Sequence, residues 1–277
     1  VYHDRDGDGR LQTGEEGIGD VELQLLDQRG EMVATQRTNS HGFYEFDGLL
    51  FGDYAIAEVH PPGWLDGTDV AGLINGRVVG RAINPGDLID TIRLGSGQVG
   101  QRYNFGEQRA TAILGTVHLS TVGGDCFGLD AEHHPLASVV VQLLDVEGQR
   151  IQETRTDSAG NYAFLDLVPG TYGVREMTPP DVINGGARSG ITDGSQNGHV
   201  LDADTVVGIE MLSSQRTTHV DFCEHLPSQL GGRVYHDRNN DGRQIDGEEG
   251  IEGVSLQLLR ENGTQVAVTT TDQDGNY

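Results

Sequence analysis

The chain has 277 residues, a formal net charge of −25 at pH 7 and a hydrophobic fraction of only 35%. This acidity argues against nucleic acid as a partner, because phosphate recognition needs basic contacts. No apolar run is long enough to cross a membrane. The length suits about two domains of ~150 residues, and the 41 glycines fit short strands joined by many turns.

The chain opens on a short acidic loop, DRDGDGRLQTGE, at Asp4–Glu15. Asp occupies positions 1, 3 and 5, glycine position 6 and glutamate position 12. This is the spacing of a calcium loop of the EF-hand type, in which alternate side chains turn toward one ion and position 7 offers its backbone carbonyl. The alternative is an acidic, glycine-rich turn that binds nothing. The predicted calcium ligands are Asp4, Asp6, Asp8, Arg10 and Glu15.

Strands are predicted around this loop, whereas a true EF-hand has a helix on each side. The following segment, GIGDVELQLLD, alternates apolar and polar residues with the period of a half-buried strand. Seven short strands separated by turns predict an all-β fold of tandem immunoglobulin-like antiparallel β-sandwich (Greek-key) domains. In the first domain they are predicted near 1–3, 21–26, 31–38, 43–46, 53–59, 88–94 and 101–106.

One unit recurs three times along the chain. The motifs TNSHGFY, TDSAGNY and TDQDGNY are copies of one hairpin, with its turn predicted at Gly42, Gly160 and Gly275. Repeat one lacks its opening residues and repeat three lacks its second half, so the sequence is interpreted as a fragment of a longer protein. The predicted domains are repeat one at 1–109, repeat two at 110–230 and repeat three at 231–277.

Repeat three begins with a second copy of the acidic loop, DRNNDGRQIDGE, at Asp237–Glu248. Carboxylate or amide side chains again stand at positions 1, 3 and 5, with glycine at 6 and glutamate at 12. Two full copies of the pattern favour calcium, the predicted cofactor, over an empty turn. The predicted ligands are Asp237, Asn239, Asp241, Arg243 and Glu248.

Repeat two departs from this pattern. Its loop, Thr121–Glu132, keeps acids only at Asp125 and Glu132, so no tight calcium site is predicted there. The two cysteines of the chain, Cys126 and Cys223, both lie in this repeat. First and last strands of such sandwiches usually lie close together, so a disulfide is predicted in a secreted chain, worth on the order of 4–5 kcal/mol in the chain-entropy model. Two free, packed thiols are the alternative.

The order of these motifs resembles a known family. The loop, VELQLLD, TNSHGFYEFDGLLFGDYAIAEVHPPGW and YNFGE follow one another as in the B-type repeats of serine-aspartate repeat adhesins, which are related to the collagen-adhesin B-type domains of bacterial surface proteins. The resemblance covers nearly the whole chain. It implies sandwiches that are secreted or on the cell surface, strung in series, often stiffened by calcium, and that hold another domain away from the cell.

Some of these relatives carry a Lys–Asn isopeptide bond assisted by a buried acid, and Glu58 and Glu176 stand where that acid is expected. All 18 basic residues here are arginine, so this bond cannot form. The interpretation is that each glutamate makes a buried or edge hydrogen bond.

A zinc site offers one further alternative. His133 and His134 could bind zinc with His118 as a third ligand. Adjacent histidines point apart on most backbones, so a solvated loop is the preferred interpretation.

The predicted function is a non-enzymatic, calcium-binding stalk or spacer in a secreted or cell-surface bacterial protein. One alternative is an adhesin or carbohydrate-binding module, with Trp64, Tyr54 and Tyr172 as an aromatic platform and a host or matrix protein or a polysaccharide as partner. A core or domain-edge position is preferred for these aromatics. Another alternative is a set of accessory domains of a larger extracellular enzyme. Catalysis has no support, since no Gly-x-Ser-x-Gly elbow is present.

Overall fold

A computed structural model describes residues 1–121, 126–128 and 133–277. It divides into two compact units, Val1–Leu226 and Pro227–Tyr277. Every regular element in the described residues is a strand, so the predicted all-β fold is confirmed. No helix in this part of the chain is long and apolar enough to cross a membrane.

Repeat one contains eleven strands. They are β1 (Tyr2–His3), β2 (Glu22–Asp27), β3 (Met32–Arg37), β4 (Gly52–Glu58), β5 (Leu65–Asp66), β6 (Leu73–Ile74), β7 (Arg77–Val78), β8 (Arg81–Ile83), β9 (Leu88–Leu94), β10 (Gly100–Gln101) and β11 (Gly106–Gln108). The main sheet has the order β3-β2-β4-β9-β8, and smaller sheets have the orders β1-β11-β5 and β10-β6-β7. The predicted alternation in β2 is confirmed, because Leu23 and Leu25 are buried in one core while Glu22 and Gln24 are half-buried.

The described residues of repeat two form thirteen strands. They are β12 (Thr111–Ser120), β13 (His133–Pro135), β14 (Val140–Leu144), β15 (Arg150–Arg155), β16 (Asn161–Leu167), β17 (Gly170–Met177), β18 (Ile183–Arg188), β19 (Gly190–Thr192), β20 (Ser195–Asn197), β21 (His199–Asp202), β22 (Thr205–Met211), β23 (Arg216–Thr217) and β24 (Asp221–His225). The sheet β15-β14-β17-β22-β21 repeats the strand order of the main sheet of repeat one.

The second sheet of repeat two has the order β13-β12-β24-β18, with β16 and β23 also paired to β12. Both sheets contribute to one buried cluster, for example Leu143 and Val206 from the first sheet and Ile113, Phe164 and Phe222 from the second. This shared core makes the repeat a β-sandwich.

The first and last strands of each complete repeat pair in parallel. In repeat two, Val117–Ser120 of β12 run beside Phe222–His225 of β24. In repeat one, Tyr2 of β1 is paired with Gly106 of β11. Apart from these pairs and the short β12–β23 pair, the strands are antiparallel.

The unit Pro227–Tyr277 contains one hairpin, β25 (Ser255–Leu259) and β26 (Gln265–Thr270). Isolated bridges join Arg233 to Asn276 and Tyr235 to Gly250. The boundaries proposed between the three repeats stay predictions.

One predicted strand is absent, and the strand predicted near 101–106 is divided between β10 and the first residue of β11. Phe43–Phe46 of repeat one lies outside any strand, whereas its counterpart in repeat two begins β16. β16 is paired along Thr111–Thr116 of β12, and the described residues of repeat one place no strand beside Phe43–Phe46. Tyr44 and Phe46 pack against the core, as the apolar alternation predicts. A strand, however, also needs a hydrogen-bonding partner.

The glycine turns predicted at Gly42, Gly160 and Gly275 are confirmed, with φ values of 72°, 74° and 80°. The predicted hairpin is wrong, because the strands on either side of Gly160 pair with other strands, β15 with β14 and β16 with β12. A Cβ on Gly160 would also lie 2.5 Å from the carbonyl oxygen of Val117 in β12. Glycine is therefore needed at this turn for two reasons, the left-handed backbone and the close approach of a strand.

We expect Gly160→Ala to lower the free energy of unfolding by more than about 2 kcal/mol, because it adds a steric clash to the strain of a positive φ. Gly148→Ala is the matched control. Its φ is 77°, and Asp145 closes its turn as Asp157 closes the turn of Gly160, yet no atom lies within 4 Å of an added Cβ. It should cost only about 1–2 kcal/mol. Urea denaturation of both variants measures the difference, and equal losses would contradict the role of the strand contact.

Candidate metal centre

The loop Asp4–Glu15, called loop one, follows β1 and leads to Gly17, which bridges back to Tyr2. It therefore lies between extended segments, as the sequence predicted. Carboxylate oxygens of Asp4, Asp6 and Asp8 lie within 4.8 Å of one another. The structure thus brings together the ligands predicted at positions 1, 3 and 5.

Backbone donors hold Asp4 at the centre of loop one. Its carboxylate accepts hydrogen bonds from the backbone N–H groups of Gly7 and Gly9, at 2.8 and 3.0 Å. Gly9 has a φ of 72°, and a Cβ there would lie 2.7 Å from the side chain of Thr68. The glycine predicted at position 6 is required both by the bend and by this packing.

Glu15 closes loop one through the backbone. Its two oxygens accept hydrogen bonds from the N–H groups of Arg5 and Gln12, at 2.9 and 2.8 Å. Glu15 is outside the group formed by the three aspartates. The structure therefore places this predicted ligand at the edge of the loop, as a clamp across its two ends.

The loop Asp237–Glu248, called loop three, has the same hydrogen-bond framework. Glu248 accepts hydrogen bonds from the N–H groups of Arg238 and Ile245, at 3.0 and 3.1 Å. Asp237 accepts from the N–H groups of Asp241 and Gly242, at 3.2 and 2.9 Å. Two sequences that differ at several positions thus form one local structure.

The side chains at positions 3 and 5 of loop three also meet. The Asn239 amide donates to Asp241 at 3.0 Å, and the backbone N–H of Arg243 donates to Asp241 at 2.7 Å. The side chains of Arg10 and Arg243 are exposed, so position 7 can offer a backbone carbonyl without bringing a positive charge to the centre.

The residues of loop one fit a hard divalent cation. Three carboxylates this close repel one another unless a cation or a proton compensates their charge. Burial, opposed by the bonds from Gly9 and Gly7 and reinforced by the charges of Glu15 and Asp6, raises the pKa of Asp4 above its ordinary value. An all-oxygen donor set of this kind suits calcium.

Loop one also contacts repeat two. Ser213 donates its backbone N–H to the carbonyl oxygen of Arg5 at 3.0 Å, and its hydroxyl lies 2.7 Å from His3 Nε2. The N–H of Arg109 donates to the same hydroxyl at 2.6 Å. The second residue of loop one is therefore part of the joint between repeats one and two.

A charged pair supports this joint. Glu16 lies 3.1 Å from His3 Nδ1 and accepts three hydrogen bonds from the Arg5 guanidinium, at 2.8, 2.9 and 3.2 Å. Burial opposes ionisation of Glu16, but the bonds from His3 and Arg5 outweigh it and hold the pKa of Glu16 at about 2.

The two acids that remain in the repeat-two loop, Asp125 and Glu132, lie outside the described residues, so the prediction that this loop has no tight calcium site stays a prediction. Next to them, Cys126 is bonded to Cys223 in a disulfide with a Cα–Cα distance of 6.0 Å. The predicted disulfide is therefore confirmed, and the free-thiol alternative is wrong. A Cβ on Gly185 would lie 2.7 Å from Cys126 Sγ, so the neighbouring strand leaves room for the bridge only at a glycine.

The three histidines of the zinc alternative do not meet as a ligand group among the described residues. His133 and His134 are exposed, as the solvated-loop interpretation held, but they lie in β13 rather than in a loop. The rings of His118 and His133 contact edge-to-face, with centroids 4.3 Å apart. His118 Nε2 lies 3.2 Å from the carbonyl oxygen of Cys126.

The three aromatic residues of the alternative binding platform pack on the cores of their own repeats. Trp64 packs on the core of repeat one, with the Arg109 guanidinium 4.1 Å from its ring centroid. Tyr54 packs on the same core, and Tyr172 packs on the core of repeat two. Their positions agree with the preferred interpretation, a core or domain-edge role.

The interpretation of Glu58 and Glu176 was half correct. Both side chains are buried, at 7% and 2% exposure. No N–H or hydroxyl group donates to either carboxylate, so the expected hydrogen bond is limited to the one that each shares with a second buried glutamate, Glu107 or Glu224, when one of the two is protonated.

A family model described as "SdrD B-like domain" matches residues 1–100, 127–223 and 228–277. The chain belongs to this family. Serine-aspartate repeat-containing protein D of Staphylococcus aureus strain MW2 is 30% identical over 282 residues, which cover 100% of this chain and 20% of that protein. Serine-aspartate repeat-containing protein F of Staphylococcus epidermidis is 32% identical over 284 residues, covering 100% of this chain and 15% of that protein. The chain thus spans about a fifth or less of these curated relatives.

Solved structures with weaker similarity include the Bacillus anthracis TIE protein, at 12% identity and a TM-score of 0.32, covering 96% of this chain and 41% of that one. The minor pilin GBS52 of Streptococcus agalactiae has 15% identity and a TM-score of 0.30, covering 80% of this chain and 89% of that one. Membership of the SdrD B-like family places the chain outside the cytoplasm, secreted or at the cell surface, as predicted. The matched family is not a family of enzymes.

We expect the double variant Cys126→Ser/Cys223→Ser to lose on the order of 4–5 kcal/mol of unfolding free energy, because the bridge closes a long loop in the unfolded chain. Denaturant unfolding of the oxidised protein and the variant measures the loss. Reduced wild-type protein is the matched control and should resemble the variant. Equal midpoints for oxidised and reduced wild type would contradict a stabilising role.

Proposed function

We propose that the chain is a calcium-binding structural spacer of a secreted or cell-surface protein, without catalytic activity of its own. The observation that carries the proposal is the shared framework of loops one and three. In both, a glutamate clamps the N–H groups of positions 2 and 9, and an aspartate at position 1 accepts the glycine N–H at position 6. The oxygens of positions 1, 3 and 5 of loop one converge within that framework.

Calcium would neutralise these oxygens. In loop one, Asp4, Asp6 and Asp8 would supply carboxylate ligands, and Arg10 its backbone carbonyl. Glu15 would complete the oxygen shell of six to eight ligands that calcium prefers. Asp237, Asn239, Asp241, Arg243 and Glu248 would do the same in loop three.

The spacer role follows from the joint at Ser213. Repeats in series form an extended spacer only if the joints between them resist bending. Loop one shares hydrogen bonds with Ser213 of repeat two through Arg5 and the adjacent His3. Ordering loop one with calcium would therefore also order the joint between the repeats.

The alternative binding-module function has less support, since the aromatics of its platform already pack within their own repeats. The roles of any host partner and of the remainder of the protein are separate questions, because the chain spans only about 20% of the relatives.

We expect Asp8→Ala to abolish one calcium-binding event seen by isothermal titration calorimetry, and Asp241→Ala to abolish another. Both side chains are exposed ligands, so their loss should weaken binding with little effect on folding without calcium. Asp47→Ala removes an exposed carboxylate of repeat one outside the loops and is the matched control. Identical heats for wild type, both loop variants and the control would refute the proposal.

We expect small-angle X-ray scattering to show a longer maximum dimension and less flexibility in calcium than in chelator. Asp8→Ala should behave in calcium as the wild type does in chelator at the joint of repeats one and two, whereas Asp47→Ala should resemble the wild type. Scattering profiles that do not change with calcium would contradict the stiffening role. Calcium binding itself is tested separately by the calorimetry.

A further inference from the structure

Each complete repeat buries a pair of glutamates from different strands, remote in sequence from the acidic loops. In repeat two these are Glu176 in β17 and Glu224 in β24, with exposures of 2% and 0%. No N–H or hydroxyl group donates a hydrogen bond to any of their four carboxylate oxygens, and the two carboxyl groups are close enough to hydrogen-bond to each other when one is protonated. Among the described residues, no arginine or histidine forms an ion pair with either side chain.

Further oxygen-bearing side chains surround this pair. An Asp204 oxygen lies within 4.8 Å of oxygens of both Glu176 and Glu224. Thr178 donates to Asp204 Oδ1 at 3.0 Å, and the Asn184 amide nitrogen donates to the same oxygen. The Asn184 carbonyl oxygen is buried and has no partner.

Repeat one builds the same arrangement. Glu107 in β11 is 0% exposed, Glu58 in β4 is 7% exposed, and no N–H or hydroxyl group donates a hydrogen bond to their carboxylate oxygens. Asp87 occupies the place of Asp204: its carbonyl accepts the N–H of Glu58 at 2.9 Å, as the Asp204 carbonyl accepts that of Glu176 at 2.9 Å.

The neighbouring strand keeps this correspondence as well. Asp66 is paired with Glu107 in repeat one, and Asn184 is paired with Glu224 in repeat two. The two sequences place oxygen ligands at four equivalent points, from two sheets each. Agreement between two copies with different side chains argues against an accident of packing at one site.

Buried, unpaired carboxylates are costly, and two in contact are more so. Burial, followed by the charge of Glu224, raises the pKa of Glu176 above its ordinary value. Burial, followed by the charge of Glu58, does the same for Glu107. Such a pair must either share a proton or hold a cation.

We propose that each complete repeat contains a second, buried calcium site, separate from the acidic loops. In repeat two the ligands are carboxylate oxygens of Glu176, Asp204 and Glu224, with the carbonyl oxygen of Asn184. This set contains only oxygen, the ligand type that calcium prefers. In repeat one the corresponding ligands are Glu58, Asp66, Asp87 and Glu107.

His60 distinguishes the site of repeat one. It stands in the place of Thr178, and its Nε2 lies 3.0 Å from the Trp64 carbonyl oxygen. Its Nδ1 faces Asp87 and Glu107, at 3.4 and 3.6 Å. In the neutral tautomer that donates from Nε2 to Trp64, Nδ1 would present a lone pair to a bound cation. Without a cation, burial is outweighed by the hydrogen bond to Trp64 and the charge of Asp87, which raise the pKa of His60.

The buried ion would tie the two sheets of a repeat together. Glu176 lies in β17 and Asp204 directly precedes β22, both in one sheet of repeat two. Glu224 and Asn184 lie in β24 and β18 of the other sheet. Calcium bound here would act inside the sandwich, whereas calcium in loop one would act at its end.

The test uses the full chain carrying Asp8→Ala and Asp241→Ala, so that loops one and three are disabled. Calcium retained after gel filtration is measured by atomic emission, and melting is followed in calcium and in chelator. We expect this loop-disabled chain to keep calcium and to melt at a higher temperature in calcium. Adding Glu224→Gln should remove about one ion per chain and reduce the calcium-dependent shift. Adding Glu210→Gln, an exposed glutamate of β22, is the matched control and should change neither.

The chelated state separates ligation from packing. Glu224→Gln removes one of two repelling charges, so in chelator we expect it to be at least as stable as its parent. A loop-disabled chain that neither retains calcium nor responds to it would overturn the proposal in favour of a shared proton. Equal destabilisation by Glu224→Gln in calcium and in chelator would also overturn it. Normal calcium binding by Asp8→Ala and Asp241→Ala, with loss only in Glu224→Gln, would refute the loop proposal alone.

Discussion

The parallel pairing of the first and last strands is the contact on which the rest of each repeat depends. In repeat two it aligns β12 with β24 from Val117↔Phe222 to Ser120↔His225. It brings the two ends of the repeat together around one core, to which Val117 and Phe222 both contribute. The same strand, β24, carries Cys223 into the disulfide and Glu224 into the buried acid cluster. The short strand β24 therefore contributes to the disulfide, to the hydrophobic core and to the buried acid cluster.

A net charge of −25 leaves carboxylates in excess over arginines, and the fold concentrates them in two kinds of place. In loop one the acids are mostly exposed and are organised by backbone N–H donors. The carboxylates of Glu107, Glu176 and Glu224 are buried and accept no hydrogen bond from an N–H or hydroxyl group. Water can screen the first kind, but it cannot reach the second, so the need for a compensating cation or proton is greater inside the sandwich.

The joint between repeats one and two lies at the entrance of loop one. Ser213 connects repeat two to His3 and Arg5 at the entrance of loop one. Trp64 fills the space beside it, where the His3 ring lies edge-on at 5.0 Å and the Arg109 guanidinium lies over the indole. A residue interpreted from the sequence as a core or edge aromatic thus serves the contact between domains, and calcium in loop one would act next to it.

The sequence by itself determined the features whose residues lie close together along the chain. The repeats, the glycine turns and the frameworks of Asp4–Glu15 and Asp237–Glu248 were readable because each is encoded within about a dozen consecutive residues. Only the tertiary structure decided that Glu176, Asp204 and Glu224 meet, since they come from separate strands and share no local spacing. It also decided that Phe43–Phe46 forms no strand while β16 does. Alternation in a sequence predicts which side chains face inward, but hydrogen-bonding partners and clusters across sheets depend on which strands the fold places side by side.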